Sequence, residues 1–234
     1  MSASDHGVFS WKIAPEHRTP GSPEPRALRI AVLVSGSGSN LQALIDALED
    51  GRLPGVEIAL VVSNKAGAQG LQRALKHKLP AIFLPWTQRA QAEEQLASLL
   101  RLFRVDLIVL AGWMRILSAG FIAQFPRRII NLHPALLPDD GMGNSFTTSD
   151  GTIIPVFRGL HAVRQALDAG VKITGSSVHY VTPEVDAGPV ICREEVAIEE
   201  GDSEETLHER IKQVEHRLIV EAVKQIREQF NKIC

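Results

Sequence analysis

From Leu28 onward, short β-branched apolar runs alternate with stretches whose apolar residues recur three and four positions apart, and this alternation limits the fold more than any other feature. Runs of the first kind lie at residues 29–35 (RIAVLVS), 56–63 (VEIALVVS), 81–84, 106–111 (DLIVLA) and 128–132 (RIINL), each predicted to be a buried strand. Helices are predicted between them at 39–50, 69–78, 89–103 and 119–124. Leu41, Leu44, Ile45 and Leu48 show the spacing in the first of these, which Gly51 ends. Such alternation builds parallel strands joined by right-handed crossovers. Later runs at 172–181 and 189–198 are separated only by a turn region, 182–188, so an antiparallel return is expected there. A last helix is predicted from Asp202, which has capping-box spacing to Glu205, with Leu207, Ile211, Val214 and Leu218 as its core stripe. The expected fold is α/β: a Rossmann-like, mostly parallel twisted sheet with helices on both faces and an antiparallel C-terminal strand pair.

Residues 1–27 do not join this pattern. Pro15, Pro20, Pro23 and Pro25 stand among small and charged residues, predicting an irregular tail that only Phe9 and Trp11 are equipped to pin down. Residues 28–234 then form a single domain. Lys plus Arg number 25 against 27 for Asp plus Glu, a net charge of −2, so a protein that works by neutralising many phosphates is not expected, nor a nucleic-acid partner. The 2 cysteines, Cys192 and Cys234, lie far apart, which argues against a disulfide framework and for a reducing, cytoplasmic setting. No apolar run approaches the roughly 20 residues that span a bilayer, so no membrane partner is expected.

Three places carry chemistry. The first strand runs into Ser35-Gly36-Ser37-Gly38-Ser39-Asn40 just before a helix, a geometry whose free N–H groups and positive dipole end favour a phosphate or carboxylate. A dinucleotide fingerprint needs a third glycine where Leu41 stands and an acidic residue where Ser63-Asn64-Lys65 ends the second strand, so a single phosphate group is the better fit. Asn131 and His133, two apart at the carboxyl end of a strand, project together where ligands bind in open α/β sheets. An amide beside an imidazole suits a developing oxyanion with proton transfer nearby. The turn after the next strand offers Asp186 as a carboxylate partner, which would raise the pKa of His133; His179 precedes it by seven positions. Metal signals are weak despite 8 histidines: His208-Glu209 opens an H-E-x-x-H pattern that Lys212 breaks. No metal is expected.

Gly36 to Asn40, Ala111-Gly112-Trp113-Met114-Arg115-Ile116-Leu117, Asn131-Leu132-His133-Pro134-Ala135-Leu136-Leu137-Pro138 and Val185-Asp186-Ala187-Gly188-Pro189 together resemble the phosphoribosylglycinamide formyltransferases of purine synthesis, within the wider formyltransferase superfamily. The likeness extends from about Leu28 to about Gln229. It implies that Gly38, Ser39, Asn40, Lys212 and Glu215 bind the ribonucleotide. It likewise implies that Arg89, Met114, Arg115, Ile116, Leu117, Asn131, Thr182, Pro183, Glu184, Val185 and Asp186 enclose 10-formyltetrahydrofolate, the formyl donor. Asn131, His133 and Asp186 would be the catalytic set, the first two stabilising the oxyanion and Asp186 keeping His133 charged and accepting the amine proton. Both substrates are small molecules; the resemblance says nothing of oligomeric state.

This chain departs from the family pattern in three places. Ala135 stands where serine is usual, and Trp113 where phenylalanine is usual, putting a larger ring near the folate wall. Residues 139–156 form an insertion ahead of Phe157-Arg158-Gly159-Leu160-His161, rich in Asp, Gly, Ser and Thr, and read as a mobile loop folding over the active site. Two other functions fit parts of the pattern. A formyltetrahydrofolate hydrolase would share Asn131, His133 and Asp186, with an N-terminal regulatory domain larger than the tail here. A non-catalytic phosphometabolite-binding protein would need only the loop at Gly38.

Overall fold

A computed structural model describes residues 26–230. The expected pins Phe9 and Trp11, and Cys234, lie outside them. In chain order the elements are β1 (Leu28–Val34), α1 (Ser39–Glu49), β2 (Val56–Ser63), α2 (Gln69–Lys76), β3 (Ala81–Phe83), α3 (Arg89–Leu102), β4 (Leu107–Leu110), α4 (Ala119–Ile122), β5 (Ile129–His133), β6 (Ser145–Thr147), β7 (Ile153–Pro155), α5 (Ala162–Asp168), β8 (Ile173–Tyr180), β9 (Val190–Ala197) and α6 (Glu204–Phe230).

Seven strands form one sheet in the order β3-β2-β1-β4-β5-β8-β9. The first five run parallel; β8 is antiparallel to β5 as well as to β9. The predicted mixed sheet is therefore present, with the change of direction already at β5–β8.

Strand periodicity explains the layers. In β1, Ile30, Val32 and Val34 point into one core while Ala31 and Leu33 point into the other. The first core is closed by α1, α2 and α6 through Leu41, Leu44, Leu71, Ile211 and Leu218. The second is closed by α3 and α4 through Leu96, Leu100 and Phe121. A strand covered on both faces has no polar positions to alternate, which is why these strands read as continuous apolar runs.

The sheet order reverses between β1 and β4, since β2 leaves β1 on one side and β4 lies on the other. Ligands of open α/β sheets bind outside the carboxyl ends at such a point. One hydroxyl joins the loops there. Ser35 Oγ donates to Asn64 Oδ1 at 2.6 Å and accepts from Met114 N at 2.9 Å, so the loops after β1, β2 and β4 are fastened together.

Two sequence expectations change. The N-terminal box of α6 is shifted by one residue: Ser203 Oγ accepts from Thr206 N and Thr206 Oγ1 accepts from Ser203 N, while Asp202 pairs with Arg210. The insertion is not an irregular loop. Ile153, Ile154 and Phe146 give it strand character, and β6 and β7 form an antiparallel hairpin with Phe146 opposite Ile154. It touches β9 and the turn before it. Ser149 donates through N and Oγ to Glu195, Arg193 reaches Asp139 and stacks over Phe146, and Ile154 is buried. Gly141 adopts φ +75°, and a Cβ there would lie 2.3 Å from Gly188 O, so this contact admits only glycine.

Candidate active site

Asn131, His133 and Asp186 come together. Asn131 and His133 lie two apart on β5, and the 181–189 turn folds back so that Asp186 meets both. Asp186 sits at φ +50°, the left-handed region that Asp tolerates better than most residues. One carboxylate oxygen accepts from Asn131 Nδ2 at 3.3 Å and lies 3.5 Å from His179 Nε2. The other accepts from Gly159 N at 2.9 Å and lies 3.3 Å from His133 Nδ1. Burial raises the Asp186 pKa, but the contact with His179, the charge of His133 and the Gly159 N–H outweigh it and hold the group at about 2.

The imidazole behaves differently from expectation. Burial lowers the His133 pKa and outweighs Asp186, which raises it, so the net direction is down. His133 is 3% exposed, and at that depth losing water costs the imidazolium more than one carboxylate at 3.3 Å returns. Its Nε2–H donates to Phe157 O at 2.8 Å. His179, buried and opposite Asn131 on β8, was not among the expected site residues. Its Nδ1–H donates to Tyr180 O at 2.9 Å, leaving Nε2 as the acceptor for Asn131 Nδ2 at 3.2 Å. Its position just before a turn that carries a carboxylate was the only signal for it in the sequence. For Phe157, Arg158 and Gly159 the only signal was their place in the family segment after the insertion, because their contacts are made by backbone atoms or to them.

The loop before α1 is a tight glycine turn that runs straight into the helix. Gly38 is the N-cap at φ +69°, and a Cβ on it would lie 2.6 Å from Gly70 Cα, so α2 packs against this turn only because position 38 is glycine. No side chain caps α1, which leaves its first-turn N–H groups without an acceptor. A crevice of about 540 Å³ opens beside the loop, lined by Ser35, Gly36, Ser37 and Lys65 together with Gly67, Ala68 and Gln69. Asn40 Nδ2 donates to Glu215 Oε2 at 3.1 Å, while the buried Asn40 Oδ1 has no partner. Burial raises the Glu215 pKa, against smaller lowering effects of Asn40 and Lys212. Lys212, one turn earlier on α6, pairs with Glu209. A second cavity, about 370 Å³ at the amino ends of β4 and β5, is lined by Arg26, Arg101 and Arg128, whose guanidinium groups are spent on Asp106, Gln124 and the Val105 carbonyl.

Residues 113–118 follow β4. Met114 and Ile116 are 57% and 65% exposed, and Val185 on the Asp186 turn 49%, an apolar lining that water alone does not explain. Arg115, Arg89, Pro183 and Glu184 are exposed and Thr182 half-buried. Glu93, one turn after Arg89, accepts from Ser118 N and Oγ, which brings the start of α3 to this segment. Leu117 is buried in the second core. Trp113 also turns inward, edge-on to Trp86 with centroids 5.1 Å apart, so its extra bulk lies in the core and not on an open wall. Ala135 is fully buried against Phe157, Ala162 and Ala166.

A Rossmann-like sheet with an Asn-x-His strand end, a returning Asp and a glycine-rich loop before α1 defines a class, and the chain belongs to the formyl transferase family, whose profile matches residues 28–142 and 150–223. The unmatched residues between fall inside the inserted segment. Among relatives, the phosphoribosylglycinamide formyltransferase of Escherichia coli K12 is 38% identical over 82% of this chain and 83% of its own length. The crystal structure of glycinamide ribonucleotide transformylase 1 from Symbiobacterium toebii superposes with a TM-score of 0.76 at 40% identity, covering 87% of this chain and 89% of that one. The bovine trifunctional purine biosynthetic protein adenosine-3 is 39% identical over 86% of this chain, which spans 18% of that longer relative. Among the described residues no helix is long and apolar enough to cross a membrane.

Proposed function

We propose that this protein transfers the formyl group of 10-formyltetrahydrofolate to the amine of 5'-phosphoribosylglycinamide. The observation that carries the reading is the ionised Asp186 carboxylate, ringed by Asn131, His133, His179 and the Gly159 N–H at a strand end, with a phosphate-sized loop on the same edge of the sheet. The ribonucleotide phosphate takes the α1 N-terminus at Gly38, Ser39 and Asn40. Asn40 Oδ1, buried without a partner, and Glu215 then face the rest of that substrate, with Lys212 at the rim. The pterin and its tail lie along Met114, Arg115, Ile116 and Arg89 and against the turn of Thr182, Pro183, Glu184 and Val185.

The amine attacks the formyl carbon, giving a tetrahedral centre with an oxyanion and an ammonium. Asn131 spends one amide hydrogen on the Asp186 charge; the other, given to His179 in this structure, is the one free to pass to the oxyanion. A carboxylate at about 2 does not keep a proton at neutral pH, so Asp186 stabilises the ammonium and relays its proton, directly or through water, toward the departing folate nitrogen. Collapse breaks the bond between the formyl carbon and that nitrogen. His133, buried and hydrogen-bonded at Nε2, takes positive charge beside the carboxylate only transiently.

A formyltetrahydrofolate hydrolase would need neither the phosphate loop nor the Asn40–Glu215 pair. Following formyl transfer from 10-formyltetrahydrofolate by absorbance, with and without the ribonucleotide, tests the reading. Folate turnover that depends on the ribonucleotide supports it; equal turnover in both arms overturns it.

A further inference from the structure

The residues that follow the inserted hairpin touch the reacting groups from behind. Phe157 O accepts from His133 Nε2, and Gly159 N donates to Asp186 Oδ2. Between them stands Arg158, whose partners are all backbone carbonyls. Its Nε donates to Asp186 O at 3.0 Å, and its Nη2 donates to Gly141 O at 2.7 Å and Gly143 O at 2.8 Å. One guanidinium thus ties the turn holding Asp186 to the stem of the insertion, and Gly141 meets that turn directly at Gly188. Asp186 needs such a tie, because its φ of +50° is a conformation that a turn left to itself seldom keeps.

We propose that Arg158 is a positioning residue for formyl transfer, and that the stem of the insertion is the anchor from which its guanidinium holds the Asp186 carboxylate in register with Asn131 and His133. The proposal rests on the reading of Asp186 as the catalytic carboxylate. A planar fork with donors in two directions is required, since a lysine ammonium presents one point and cannot span both the turn and the stem. Displacing a reacting group by about 1 Å commonly costs about 100-fold in rate, while substrate contacts made elsewhere are kept.

The test compares Arg158→Ala, Arg158→Lys, Asp186→Asn and the double variant Arg158→Ala/Asp186→Asn, measuring kcat and both KM values beside thermal unfolding. Arg158→Ala is expected to lose about 10- to 100-fold in kcat with both KM values within about two-fold of the parent, a misplacement effect on chemistry and not on binding. Added guanidinium at millimolar concentration restores part of that loss. Arg158→Lys folds with the charge in place and still loses kcat. In the Asp186→Asn background Arg158→Ala costs nothing further, because its effect runs through that carboxylate. Parental kcat in folded Arg158→Ala or Arg158→Lys, or a full additional loss in the double variant, overturns the proposal. If Asp186→Asn itself keeps parental turnover, the reading of the site falls and this one with it; an inactive Asp186→Asn beside a fully active Arg158→Ala sinks this inference alone.

Discussion

His133 Nε2 donates its hydrogen to Phe157 O across 2.8 Å, which assigns the tautomer of the site histidine. The neutral ring carries its proton on Nε2, so Nδ1 faces Asp186 as a lone pair, and a second proton there must be drawn into a buried place. Burial wins, and His133 titrates below its ordinary 6.5. Ring-resolved NMR titration of the folded protein checks this directly. The His133 midpoint is expected below 6.5, and a midpoint above it would show that the Asp186 charge dominates after all.

In the proposed reaction, replacing Asn131 by alanine removes the hydrogen that passes to the oxyanion. A loss of about 10²–10³ in kcat is expected, with the KM for the ribonucleotide little changed, since no ground-state contact to that substrate is lost. Steady-state kinetics with each substrate varied in turn decide the point; a loss confined to KM would make Asn131 a binding residue.

Asp186 also makes stability fall in acid. Its carboxyl is held at about 2 in the fold against about 3.8 when unperturbed, so its contribution is complete above about pH 4 and is lost as pH falls toward 2. The size is about 2–3 kcal/mol by linkage. His133 acts in the same direction over a higher range: its folded pKa is lowered, so stability declines as pH drops below 6.5. Denaturant unfolding of the parent between pH 7 and pH 3 should fall more steeply than that of Asp186→Asn, and parallel curves would refute the linkage.

Glu215 has the opposite sign. Its folded pKa is raised by burial, so the fold is penalised as pH rises above 4.5. Glu215→Gln keeps a partner for Asn40 and removes the buried charge, so it is expected to raise the melting temperature at pH 7. It should also raise the ribonucleotide KM about ten-fold or more through loss of a charged hydrogen bond. An unchanged KM would place the substrate elsewhere.

Gly141→Ala puts a methyl group where Gly188 O already stands, at a φ of +75°. The turn and the insertion stem must part to accept it. A loss of about 2 kcal/mol or more in stability is expected, with kcat lowered because the displaced turn carries Asp186. Gly151→Ala, at φ +85° but with nothing near its Cβ, is the control, and it should leave kcat alone. Equal kcat in the two variants would mean that the stem does not hold the turn.

The parts legible in the sequence were those set by side-chain period. The continuous apolar run of β1 and the stripe of Leu207, Ile211, Val214 and Leu218 on α6 gave the layers, and Asn131 with His133 gave the strand end where the candidate site sits. Asp186 was legible as a turn residue, but its approach to β5 depends on the return of a loop whose course spacing does not encode. What escaped was chemistry made by the backbone. The clamp of Arg158 on three carbonyls, the Phe157 carbonyl on His133 and the Gly159 N–H on Asp186 depend on where the chain runs and not on which residue types are present. The direction of the His133 shift escaped for a related reason: a neighbouring charge can be guessed from a motif, whereas the depth of burial opposing it emerges only from the packed fold. The hairpin in the insertion escaped because Gly, Ser, Asp and Thr outnumber the apolar residues Phe146, Ile153 and Ile154 that make it pair.

The hydroxyl of Ser35 belongs to both halves of the crevice at once. Through Asn64 it holds the side that opens onto Lys65, and through the Met114 amide it holds the segment of Met114 and Ile116. A ligand that shifts one loop must stretch or relieve a bond to the other. If each proposed substrate shifts its own loop, whatever factor the first to bind imposes on the affinity of the second through that oxygen, the second imposes on the first.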